Sequence, residues 1–118
     1  TRCEMTTDKE LLELAAKAVG INVVGDIEKY LVFPERRAGG FIIENASGGH
    51  TGWNPLTDDG DALRLAVALS SDDGFDIEIT KTASGAREFC YVEPHGDDKY
   101  AATRRAIVRC AAEMGKAL

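Results

Sequence analysis

Apolar side chains recur at helical spacing in three segments of this chain. In the first, residues 8–19, an apolar side chain returns every three to four positions, which is the pattern of a helix with one buried face. Thr7 and Glu10 occupy the two positions of a capping box, and Gly20 follows the last apolar residue. The sequence therefore predicts a helix over residues 8–19 with a defined beginning and end.

Two further segments predict helices. One begins within residues 58–61, where acidic side chains suit the first turn of a helix, and runs to Leu69. The other runs over residues 98–114. The spacing assigns three residues of the middle helix to the core, namely Leu63, Ala66 and Val67.

Shorter apolar or alternating runs indicate strands, and Gly-rich stretches at residues 46–52 and 83–85 indicate turns between them. The strand-like runs are residues 21–24, 30–33, 41–43, 75–81 and 88–92. The second could pair with the third as a hairpin, and the fourth with the fifth. This order predicts an α+β fold in which an antiparallel sheet of about four strands is packed by three helices. We expect one domain over residues 1–118, with residues 1–6 as a flexible N-terminal leader.

Composition narrows the class of protein without naming a function. The chain has 118 residues, of which 44% are hydrophobic and 29% charged, with a net charge of −6. These values exclude a collagen, a wholly disordered chain and a basic nucleic-acid arm. Cys3, Cys90 and Cys110 form no CxxC pair, so a zinc site is not expected. No apolar run is long enough for a membrane span, and the expected location is the cytoplasm.

Charge is unevenly distributed along the chain. Residues 57–78 carry seven acidic residues and one basic residue, giving −6, whereas residues 99–118 carry five basic and one acidic, giving +4. The acidic segment is a candidate contact for a basic partner, and reversing its charges should then leave the fold intact. The candidate contact residues are Trp53, Asp58, Asp59, Asp61, Asp72 and Asp73, with a secondary basic face of Arg105, Arg109 and Lys116. The alternative is two solvated faces that keep the protein soluble.

A catalytic or metal-binding alternative uses His50, the Gly-rich residues 46–52 and the acidic residues 58–61. It has little support, because the loop lacks the Lys of a phosphate-binding loop and the acidic cluster lacks the spacing of a calcium loop. Helix capping explains the acidic cluster equally well. We expect His50 and His95 to lie in solvent-exposed loops. We expect Trp53 to fill one end of the core, with the contact role as its alternative.

The segment Trp53–Val67, WNPLTDDGDALRLAV, resembles small phage and prophage proteins that share the pattern W-N-P-L-x-D-D-x-D-A-L-x-L at the entry to a helix. Residues 101–109 and 8–20 resemble their closing and opening helices. More distantly, the layout resembles phage NinX-like proteins and the phage ABA-sandwich domain. The resemblance implies a phage origin, and therefore the cytoplasm of a bacterial host as the location, together with helix–sheet–helix layering. It supplies no catalytic residues. Residues 30–49 depart from the pattern.

These observations together predict a non-enzymatic phage or prophage accessory protein that binds a macromolecular partner, with no cofactor and no metal. The expected partner is a host or phage protein, including a nucleic-acid-binding complex, and the expected effect is inhibition of a host defence or regulatory factor. Neither a membrane nor direct nucleic-acid binding is expected. A small nucleotide- or metal-binding enzyme and a self-associating structural protein, such as a homodimer, remain alternatives.

Overall fold

The computed structural model describes residues 7–26, 40–44, 47–70, 77–79, 82–86 and 91–118. Their order confirms the α+β class. The helices are α1 (Asp8–Val19), α2 (Asp59–Leu69) and α3 (Lys99–Lys116). The strands are β1 (Val23–Asp26), β2 (Phe41–Glu44), β3 (His50–Trp53), β4 (Ile77–Ile79), β5 (Ala83–Ala86) and β6 (Tyr91–Pro94).

Helix α1 begins and ends at the residues that carry its sequence signals. The Thr7 hydroxyl accepts the backbone N–H of Glu10 at 3.2 Å, and the Glu10 carboxylate accepts the backbone N–H of Thr7 at 2.9 Å. This confirms the capping box, which satisfies two backbone donors that would otherwise be unpaired. Gly20 ends the helix with a left-handed backbone, at φ 73°.

The strands of the described residues form two antiparallel three-stranded sheets, in the orders β1-β2-β3 and β4-β5-β6. The sequence predicts about four strands in one sheet. The difference lies partly at residues 83–85, which were predicted as a turn but belong to the central strand β5. Small residues weaken the strand signal there, yet α3 packs against β5, and this packing outweighs intrinsic propensity.

Strand β2 is the centre of the first sheet, with β1 and β3 on its two edges. The predicted pairing of residues 41–43 with residues 30–33 is therefore wrong as a description of β2, because both of its edges are occupied. Residues 30–33 lie outside the described residues. The predicted turn at residues 46–52 is also too long, since β3 already begins at His50.

The core contains buried side chains of all three helices and of the first sheet, and α3 packs most extensively against α1. Small side chains dominate the contact between the two helices, and the backbones approach closely at Gly115, where an added Cβ would overlap the carbonyl oxygen of Leu14. The buried side chains that surround this contact include Ala15, Ala16, Phe41, Trp53, Val108, Ala111 and Ala112. Across the same described ranges, no helix has both the length and the apolar character needed to cross a bilayer.

Helix α2 is rotated relative to its sequence prediction. Ala62, Leu65 and Leu69 are buried, whereas Leu63 is 65% exposed and Val67 is 62% exposed. Apolar residues occupy most of the helix circumference, so periodicity alone allows more than one rotation. The polar residue Asp61 is buried and hydrogen-bonded, and this anchor turns Ala62 and Leu65 inward and Leu63 outward. The assignment of Leu63 and Val67 to the core is therefore wrong.

Candidate binding groove between the second and third helices

The acidic residues at the start of α2 form hydrogen bonds and ion pairs within the protein. The Asp58 carboxylate accepts the backbone N–H of Asp61 at 2.9 Å and so caps the helix. The buried Asp61 carboxylate accepts the backbone N–H of Asn54 at 2.9 Å and the guanidinium of Arg64 at 2.7 Å. Arg64 also lies 4.0 Å from Asp58. One arginine therefore serves two of the three carboxylates.

The third carboxylate is paired across the structure. Asp59 accepts a hydrogen bond from the guanidinium of Arg104 on α3, and Arg104 also donates through Nε to the carbonyl oxygen of Leu56 at 2.8 Å. Arg104 is mostly buried, with 15% of its side chain exposed. Arg104 thus links α3 to the turn that leads into α2, and its positive charge is paired within the protein.

The segment that carries the phage resemblance is a strand-to-helix turn. Trp53 ends β3 in the core, and Pro55, two residues later, is also buried. The side chain of Asn54 accepts the backbone N–H of Leu56 at 3.0 Å, while the Asn54 carbonyl oxygen accepts the backbone N–H groups of Thr57 and Asp58. The pattern therefore has a structural explanation, since its polar residues satisfy the backbone of one tight turn.

These positions change the acidic-surface hypothesis. Trp53 and Asp61 are buried, so neither can form a surface contact in this structure. Asp58 and Asp59 are partly exposed but engaged in capping and ion pairing. The other two acidic candidates, Asp72 and Asp73, lie outside the described residues.

The predicted basic face is similarly engaged by acidic partners. Arg105 pairs with Asp8 of α1 at 3.2 Å, and Lys116 pairs with Glu113 at 3.0 Å. Arg109 pairs with Glu93 of β6, and both of these side chains are mostly buried. Each of these three basic residues therefore pairs with an acidic side chain, and α3 does not present them as an uncompensated basic stripe.

The catalytic alternative gains no geometric support. His50 is exposed as predicted and lies opposite Glu44 in the pairing of β2 with β3. Among the residues that the structure describes, no three His, Cys, Asp or Glu side chains converge as metal ligands. His95, in contrast, is only 8% exposed, so its predicted position in a solvent-exposed loop is wrong.

A groove of about 600 Å³ lies between α2 and α3. Two facing helical stripes form its walls, each built from residues three or four positions apart. Its apolar lining includes Leu63, Ala66, Ile77, Tyr100 and Ile107, and His95 also lines it. Lys99 and the Asp59–Arg104 ion pair supply its charged groups. This combination of apolar walls and few polar groups is typical of binding sites.

Large apolar side chains around this groove are exposed to solvent. Tyr100 is 62% exposed and Ile77 38% exposed, and the exposed Val67 lies one helical turn beyond Leu63. Sequence reasoning missed this surface, because apolar residues at helical spacing are usually buried. The one available signal was an excess of apolar residues on α2, more than a single core face requires.

Comparisons with protein-family models, with curated proteins and with solved structures give no match to this chain. Support for the candidate site therefore comes from the structure of this protein alone.

Proposed function

We propose that this chain is a non-enzymatic accessory protein that binds a partner protein through the groove between α2 and α3. The observation that carries the proposal is the exposure of Leu63, Val67 and Tyr100 at and beside one open apolar groove. Full burial of a large apolar side chain contributes about 1.5–3 kcal/mol. Side chains that the fold leaves more than three-fifths exposed retain most of that free energy for association.

Clustering distinguishes this surface from ordinary surface exposure. Single apolar residues are common on protein surfaces, whereas a contiguous patch marks an interaction site. Here the patch follows two helix walls with a groove between them, which is the geometry that accepts an amphipathic helix of a partner. Such a helix would place its apolar side chains between Leu63 and Tyr100.

Acidic residues next to the groove in sequence favour a partner with basic flanks. The connection from Ser70 at the end of α2 to Ile77 at the groove contains Asp72, Asp73 and Asp76 and no basic residue. The contribution of Asp72 and Asp73 remains a prediction. An electrostatic contribution of this kind weakens as salt screens it, whereas apolar burial does not.

The proposed biological setting follows from the sequence resemblance of residues 53–67 to phage and prophage proteins. In that setting, the partner would be a host defence or regulatory factor, and binding would inhibit it by covering its surface. Nothing in the geometry requires a chemical step.

Affinity capture from a bacterial lysate, quantified by mass spectrometry, tests this proposal with a matched control. The groove variant is Leu63→Ser with Tyr100→Ser. The control is Val23→Ser with Val24→Ser on β1, where the two valines are 40% and 42% exposed and do not line the groove. We expect a specific partner to be retained by the wild type and the control and reduced about tenfold or more by the groove variant, as for the loss of two anchoring side chains.

Equal recovery of every partner by all three proteins would contradict the groove as the contact surface. A further variant, Asp72→Asn with Asp73→Asn, separates the electrostatic contribution. It should reduce recovery at low salt and have little effect at high salt, because screening already removes that attraction in the wild type.

A further inference from the structure

A hydrogen-bonded series of polar side chains, most of them buried, extends to the groove. It joins Ser84 of β5, His95 after β6 and Thr103 of α3. The Ser84 hydroxyl lies 2.9 Å from His95 Nε2 and 2.7 Å from the Thr103 hydroxyl. The Thr103 hydroxyl donates to the carbonyl oxygen of Lys99 at 2.8 Å. Ser84 is 1% exposed and His95 8% exposed.

The donor and acceptor of each hydrogen bond follow from the last member of the series, the carbonyl oxygen of Lys99. A carbonyl oxygen only accepts, so the single hydrogen of the Thr103 hydroxyl points to Lys99. Ser84 must then donate its own hydrogen to Thr103, which leaves its oxygen to accept from His95. His95 therefore carries a proton on Nε2, and in the neutral ring Nδ1 is the acceptor.

This arrangement does not activate Ser84 as a nucleophile. A serine–histidine pair that performs nucleophilic attack needs the serine hydrogen directed at the histidine nitrogen. Here the hydrogen points to Thr103, and the histidine nitrogen that faces Ser84 is itself a donor. The cluster is consequently a device that orients the His95 ring.

The oriented ring leaves one polar atom unsatisfied. His95 Nδ1 is buried and has no hydrogen-bond partner in the described part of the chain. A buried acceptor without a donor is destabilising, because it has lost its hydrogen bond to water and gained none in exchange. The Nε2 edge of the ring is occupied by Ser84, which does not line the groove, whereas His95 does. The groove therefore combines apolar walls with a buried acceptor that has no donor, on one of its lining residues.

We infer that the groove binds a tryptophan side chain of the partner protein, whose indole N–H donates to His95 Nδ1. This inference rests on the proposed function and names the anchor of the bound segment. Indole matches the site because it has a large apolar body and one donor with no acceptor, so burial leaves no second polar atom unpaired. Tryptophan is also among the residues most enriched where binding energy concentrates at interfaces.

Entry of the ring requires a local rearrangement, because Nδ1 is closed to bulk water in the present structure. Leu63 and Tyr100 are the most exposed of the apolar side chains that line the groove. A ring that displaces them and packs against them would bury apolar surface that is now exposed to solvent. Without a bound ring, we expect Nδ1 to have no hydrogen-bond donor.

Titration with indole and with 1-methylindole tests the inference, because the two ligands differ at the donor. We expect the wild type to bind indole about fivefold or more tightly than 1-methylindole in calorimetry, the effect of one buried hydrogen bond. In His95→Gln, the amide N–H can still donate to Ser84 while the acceptor at Nδ1 is lost. The two ligands should then bind equally.

Equal affinities in the wild type, a preference for indole that persists in His95→Gln, or no binding of either ligand would overturn the inference. A buried water molecule that already donates to Nδ1 would give equal affinities for the two ligands in the wild type. If His95→Gln does not fold, the ¹⁵N resonance of His95 Nδ1 in the wild type replaces it, and it should shift with indole and not with 1-methylindole. The proposed function fails separately, when the serine variants of the groove retain every partner, so the two failures are distinguishable.

Discussion

Replacement of Gly115 by alanine should destabilise the protein more than any other substitution that adds one methyl group to a described helix. The new Cβ would overlap the carbonyl oxygen of Leu14 and lie 2.8 Å from the carbonyl carbon of the same residue. Both are backbone atoms, so no side-chain rotation relieves the clash, and α1 must move away from α3. We expect a loss of about 3 kcal/mol or more in the free energy of unfolding, or roughly 10 °C in Tm.

Gly60→Ala is the matched control, since it also adds one methyl group to a helix. There the closest atoms are the ends of the Arg64 and Asp58 side chains at 3.2 Å, which can move more easily than backbone. Alanine also favours the helix by up to about 1 kcal/mol. The change in stability should therefore stay within about 1 kcal/mol. Similar thermal and denaturant unfolding curves for both variants would show that α1 and α3 do not meet as closely as the structure has them.

Replacement of Asp61 by alanine should cause the second large loss, about 2–3 kcal/mol in denaturant unfolding. The substitution removes the buried acceptor of the Asn54 backbone N–H and the partner of Arg64. A buried N–H without an acceptor carries most of the cost, because Arg64 is mostly exposed and can be solvated. Charge reversal at this position should therefore damage the fold, contrary to the sequence expectation for the acidic residues.

Asp59→Ala provides the comparison within the same cluster. Its carboxylate is 68% exposed, and Arg104 keeps its hydrogen bond to the Leu56 carbonyl oxygen when this partner is lost. An ion pair of this exposure contributes about 1 kcal/mol or less. Equal stability losses for the two substitutions would mean that Asp61 is not the buried anchor of the turn.

The parts of the fold that sequence predicts well are those set by local chemistry. The Thr7–Glu10 capping box and the end of α1 at Gly20 depend on neighbouring residues only, and the structure has both. Asp58 caps α2 for the same reason. Strand β5 was missed because its residues favour a turn locally, and only the neighbouring strands β4 and β6 and the packing of α3 make it a strand.

The candidate site was harder to predict because it depends on contacts between distant residues. Charge counted along the sequence separates acidic residues 57–78 from the basic residues of α3, whereas the fold joins Asp59 to Arg104. The rotation of α2 is set by the hydrogen bond from Asn54 to Asp61, and periodicity contains no information on that bond. The exposure of Leu63 follows from this rotation, as does the groove.

Site-specific photo-crosslinking in bacterial cells tests most directly whether this surface is where a partner binds. A benzophenone amino acid is placed at Leu63 in one protein and at Val23, on the edge strand β1, in another. We expect a defined protein adduct from position 63 and none from position 23. The absence of an adduct at position 63, or the same adducts at both positions, would contradict it.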